Sequence, residues 1–114
     1  MEVSCTVIEL KPNSRNRVEA WASFILANKE KALLTLESEM VTVENFFFAT
    51  IDSKDYLIGY MRAKSKEHAT SVVKESLSKI DAYHQEFKKD CWKKGIETEL
   101  MLDLSRIENE EAFA

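Results

Sequence analysis

Residues 42–63 read TVENFFFATIDSKDYLIGYMRA, and their alternation decides the fold. In an extended chain successive side chains point to opposite faces. Thr42 to Ile51 is therefore expected as a strand, with Val43, Asn45, Phe47, Ala49 and Ile51 on one face and Glu44, Phe46 and Phe48 on the other. Asp52-Ser53-Lys54-Asp55 is a short polar connection of the hairpin kind. Tyr56 to Ala63 is the return strand. It sets Tyr56, Ile58, Tyr60 and Arg62 against Leu57, Gly59, Met61 and Ala63. Gly59 inside a strand marks close packing or a bulge. Phenylalanine stands on both faces of the first strand, so a layer covering one face leaves aromatic surface on the other.

The rest of the chain supplies that layer. Val3 to Leu10 is rich in β-branched residues and ends at Lys11-Pro12, where proline holds its predecessor extended. Asn13 or Ser14 is placed to cap the following helix. Val18, Trp21, Ala22, Ile25, Ala32, Leu33, Leu36 and Met40 form one stripe at about 100° per residue. Lys29 interrupts it, and a break near Asn28 is expected. After the hairpin, Ser65 caps a helix carrying Ala69, Val72, Val73 and Leu77. Ser78-Lys79-Ile80-Asp81 resembles a capping box that restarts it. Ile80, Tyr83, His84, Phe87 and Cys91 continue the stripe, and Gly95 is expected to end the helix. Glu97 to Leu104 is the expected last strand, with Leu100, Leu102 and Leu104 turned to the helices.

The order is β-α-β followed by β-α-β. The fold class is α+β: a ferredoxin-like βαββαβ domain with a four-stranded antiparallel sheet and helices on one face. It occupies residues 1–107, and 108–114 form an acidic, flexible tail. The uncovered aromatic face calls for a partner, and a second copy related by a two-fold axis is the simplest. A homodimer is expected.

Composition narrows the function. The chain has 114 residues with 20 acids against 16 bases, a net charge of −4, which disfavours nucleic acid. Lys88, Lys89, Lys93 and Lys94 are a local cluster that suits the C-terminal turn of a helix. No apolar run has membrane-spanning length and no export signal is visible. Cys5 and Cys91 are lone thiols without metal-finger spacing, which favours the cytoplasm. Glycine-rich phosphate loops and a serine nucleophile elbow are missing, and two histidines are few for a metal centre. No cofactor and no metal are expected.

Five residues stand out. His84 falls where the helical stripe calls for an apolar side chain, so it is a candidate general acid or base; the alternative is a buried imidazole satisfied by backbone or carboxylate. Glu44 sits between apolar neighbours and is a second catalytic candidate; the alternative is a solvated carboxylate or one paired with a lysine or arginine. Tyr56, Tyr60 and Arg62 share one strand face and would give a ligand two hydroxyl tips and a cation. Alternatively the tyrosines pack at an interface and Arg62 pairs with an acid. Together the five are expected to bind a small polar molecule in the sheet cleft and act on it; the alternative is a non-catalytic ligand-binding or structural homodimer.

Several segments also carry a resemblance. They are Leu10-Lys11-Pro12, Val41 to Glu44, Asp55 to Ala63, Ile80 to His84 and Asp103-Leu104, spread over residues 3–107. In these the chain resembles a small uncharacterised family of the dimeric α/β-barrel superfamily, in which two ferredoxin-like subunits pack sheet against sheet. Its layout is also similar to that of L-rhamnose mutarotase. The resemblance implies a dimer and admits an isomerase or a cofactor-free oxygenase, but it transfers no catalytic residue. Fold alone does not choose among such chemistries.

Overall fold

The computed structural model describes residues 1–107; the tail expected at 108–114 lies outside them. Strand β1 (Glu2–Leu10) leads through Pro12 into helix α1 (Arg15–Ala27) and helix α2 (Lys29–Glu39). Strands β2 (Val41–Ile51) and β3 (Lys54–Ala63) form the hairpin. Helices α3 (Lys66–Glu75) and α4 (Lys79–Cys91) and strand β4 (Trp92–Glu97) complete the order. The sheet runs β2-β3-β1-β4 with every neighbouring pair antiparallel, the ferredoxin-like arrangement. Each expected helix is divided in two, at Asn28 and at 76–78.

Local chemistry explains most boundaries. Ser65 Oγ accepts from the His68 N–H at 3.1 Å, and Ser78 Oγ from the Ile80 N–H at 3.2 Å, so both serines cap as expected. Ser14 holds the N-cap position of α1 but does not cap it. Its hydroxyl donates instead to the Lys11 carbonyl at 2.7 Å and closes the turn after Pro12. At Asn28 both the backbone N–H and the side-chain amide donate to the Phe24 carbonyl, ending α1.

The register assigns the two sheet faces. Phe46 stands opposite Gly59, and Gly59 opposite Thr6. Phe46, Phe48, Leu57, Ile8 and Leu10 thus turn to the helices. There they pack with Val18, Trp21, Phe87 and Cys91. Phe87 and Leu57 are essentially sealed from solvent. Trp21 is central to this core: its indole stacks on Phe87 at 4.6 Å and meets Phe46 edge-on at 5.0 Å. The other face carries Val43, Phe47 and Ile51, Tyr56, Ile58, Tyr60 and Arg62, and Val3, Cys5 and Val7. No helix among the described residues covers it, and Phe47 is 61% exposed.

The last strand differs from the sequence reading. It is Trp92–Glu97, not Glu97–Leu104, and Gly95 pairs with Ile8 inside it instead of ending a helix. The cause lies at Cys91, whose carbonyl accepts the Lys11 N–H at 2.8 Å. This bond fixes the end of α4 beside β1. Trp92 is then extended and its ring joins the core. Beyond Glu97 the ladder stops, because the Thr98 hydroxyl takes the Cys5 carbonyl. Leu100, Leu102 and Leu104 consequently do not meet the helices; all three are exposed. Leu77 and Leu33, expected on buried stripes, are exposed as well, since the helix breaks rotate them outward.

A Cβ at Gly59 would lie 2.9 Å from Phe46 Cε1, and the Phe46 ring is itself held by Trp21. Gly59→Val is expected to cost about 1–3 kcal/mol through overpacking. Urea unfolding of the two proteins measures it; an unchanged midpoint would show that the ring yields freely.

Candidate functional site

Helix α4 and strand β2 place titratable groups along one strip of the helix face. Asp81, His84 and Lys88 follow one another at three- and four-residue spacing, so they lie on one side of α4. Glu44 and Phe46 face them from β2. Glu39, at the end of α2, closes the strip.

His84 is the best-fixed member. Its Nδ1 accepts the Trp21 Nε1–H at 3.1 Å. The ring stands among Trp21, Phe46, Phe87 and Trp92, with centroids 5.7–6.4 Å away. Burial, reinforced by Lys88, pushes the imidazole down to about 4. It is therefore neutral near pH 7. With Nδ1 occupied as an acceptor, the proton sits on Nε2, which has no protein partner among the described residues. His84 is thus a fixed hydrogen-bond donor and not a base at Nδ1.

The neighbouring charges are tuned by the same loss of hydration. Glu44 is exposed on β2, yet partial desolvation raises its carboxyl above the ordinary range, against the pull of Lys88. Lys88 is lowered by desolvation, with Glu44 opposing. Its ammonium also rests 4.5 Å from the Trp92 ring centre. Glu39 is 7% exposed, and burial together with Glu44 and Asp81 raises it to about 7. The buried Trp92 Nε1–H beside this strip has no partner.

The structure thus unites His84 and Glu44 on the helix face, but Tyr56, Tyr60 and Arg62 lie on the opposite face of the sheet. The five do not share one cleft within a chain. Arg62 is buried on the open face, where its Nη1 donates to Asp103 at 3.0 Å and to Tyr60 Oη at 3.1 Å. Nearby Glu9, also buried, accepts from Lys93 at 2.9 Å and lies 3.8 Å from Lys54. Sequence reasoning passed over Lys88, Glu39 and Trp21. Lys88 stands four residues after His84, a spacing that marks a shared helix side, but its place in a lysine-rich run made it look like surface charge. Among the described residues, no three histidine, cysteine, aspartate or glutamate side chains converge to hold a metal ion. No helix among them is long and apolar enough to cross a membrane.

Comparison with known families adds one fact. Residues 1–109 match the model of a family of unknown function, DUF6176, and the chain belongs to that family. No curated protein matches it.

The shifts of His84 and Glu39 have opposite linkage signs. A histidine lowered to about 4 contributes stability that is full above its unfolded value of about 6.5 and is lost as pH falls through 4. A glutamate raised to about 7 contributes stability that is full below 4.5 and is lost as pH rises through 7. Glu39→Gln is therefore expected to leave stability near pH 4.5 unchanged and to raise it at about pH 8 by about 1–3 kcal/mol. Thermal unfolding at the two pH values tests this; an equal gain at both would remove the titration of Glu39 as its cause.

Proposed function

We propose that this chain works as a homodimer that binds a small polar carbonyl or hemiacetal compound and moves protons on it, as an isomerase of the mutarotase kind does. The supporting observation is the juxtaposition of three groups on one strip: the neutral, oriented imidazole of His84, the raised carboxyl of Glu44 and the lowered ammonium of Lys88. Perturbed acids and bases gathered beside a fixed donor are the usual mark of proton-transfer chemistry.

The roles follow from the protonation states. Glu44, as carboxylate, takes the proton of an anomeric hydroxyl. The C–O bond to the ring oxygen breaks, and Lys88 delivers a proton to that oxygen. The His84 Nε2–H donates a hydrogen bond to the oxygen on which charge develops. Rotation of the open-chain aldehyde and the reverse steps give the other anomer. Phe46 and Trp92 offer ring surface for the sugar's apolar side.

Dimerisation rests on the uncovered face. Phe47, Ile51 and Ile96 are 61%, 53% and 42% exposed there, a density of apolar surface that a second sheet would cover. In that dimer Tyr56, Tyr60 and Arg62 line the inter-subunit cleft, as the resemblance to the dimeric α/β-barrel superfamily implies. Cys5 and Cys91 are free thiols, which supports a cytoplasmic setting. One observation favours the rival reading, a non-catalytic homodimer: Arg62 is already engaged by Asp103 of its own chain and is not open to a ligand.

Exchange between anomer resonances of a panel of reducing sugars is the direct assay. The protein is expected to accelerate exchange for one of them, and Glu44→Gln to lower that rate by about 10²–10⁴-fold. A panel with no accelerated member would remove the catalytic reading and leave the rival. Native mass spectrometry is expected to give a dimer, and Phe47→Glu a monomer; a monomeric parent would remove the sheet-to-sheet contact.

A further inference from the structure

A groove of about 550 Å³ lies between α2, α3 and the start of α4. That volume takes a small organic molecule. One wall is Asp81, which is nine-tenths buried and makes no hydrogen bond or ion pair among the described residues. Its position three residues after Ser78 is that of the acid in a capping box, yet it caps nothing. The Ser78 N–H donates to Ser76 Oγ at 3.1 Å instead. The Asp81 carboxylate keeps its solvent contact at the groove, where a cation can meet it.

The remaining walls present acceptors. On α2 the Thr35 and Ser38 hydroxyls donate to the Ala32 and Leu34 carbonyls, which leaves their oxygen lone pairs for a ligand. Glu75 brings a second carboxylate from α3, while Leu34 and Val72 supply apolar surface. Lys31, the one cation of the lining, pairs with neither carboxylate. Behind Asp81 stands Glu39, buried and also without a cationic partner. A metal ion would need three converging ligands, which the described residues do not offer.

We propose that this groove binds a small organic ammonium ion, with its amine against Asp81 and its aliphatic body along Leu34 and Val72. The donor-rich, cationic head matches the two carboxylates and the hydroxyl oxygens of the lining, and the apolar stretch fits a few methylenes. The site is one helical turn from His84 and does not depend on the proton-transfer reading.

Putrescine is the probe, and the diol with hydroxyls in place of its amines is the uncharged control. Titration of the full chain, followed by amide NMR, is expected to show saturable shifts at Leu34, Val72 and Asp81 with putrescine and none with the diol. Asp81→Asn, which removes a buried charge and should keep the fold, is expected to weaken binding about tenfold or more. Val72→Trp, which fills the groove, should do the same, whereas His84→Ala should bind like the parent. Absence of saturable shifts, an equal response to the diol, or unchanged affinity in both groove variants would overturn the proposal.

Discussion

The contact between the Phe46 ring and the bare Cα of Gly59 is the constraint on which the interior depends. Only a residue without a side chain lets the ring lie down on β3. With the ring down, Trp21 can set its face on Phe87 and its edge against Phe46. That pose aims the indole N–H at His84 and so fixes the imidazole tautomer. A cross-strand packing detail thereby becomes the protonation state of a candidate catalytic residue, through two aromatic contacts and one hydrogen bond.

The charged strip obeys a second constraint, the scarcity of water between α4 and β2. Removing hydration raises Glu39 and Glu44 and lowers His84 and Lys88, so each group moves toward its neutral form. Close salt bridges would have worked against this by holding the ions charged. The described pairs of that type lie elsewhere, at Glu9 with its two lysines, at Arg62 with Asp103 and, between helix residues, at Arg15 with Glu19 and Arg17 with Asp90. Ion pairing and this adjustment are thus kept apart on the strip: none of the described ion pairs involves Glu39, Glu44, His84 or Lys88.

Much of the fold was legible because period-two and period-3.6 patterns are local. The 42–63 hairpin, the face carrying Tyr56, Tyr60 and Arg62, the break at Asn28 and the caps at Ser65 and Ser78 all follow from neighbouring residues. Strand β4 was misplaced because two segments compete for the edge of β1, and only 97–104 alternates cleanly. The winner is decided by the bond between Lys11 and Cys91, eighty residues apart, which no local pattern contains. The site was half legible for the same reason. His84 breaks its stripe and announces itself. Lys88 and Glu39 become unusual only through what packs on them. That Glu44 stands with His84, while the tyrosines stand behind the sheet, follows from the side the helices choose.

The position of β1 also governs how the chain can be made. It precedes its sheet partners along the chain, yet it lies inside the sheet, between β3 and β4. Its partners at 54–63 and 92–97 arrive much later. Until then both of its edges are open templates, carrying Val7 and Ile8. The sheet can be sealed only once residue 97 is available to pair, so closure waits for the last of these segments. A protein of this topology depends on the interval before closure, when the β1 edges are exposed to other chains.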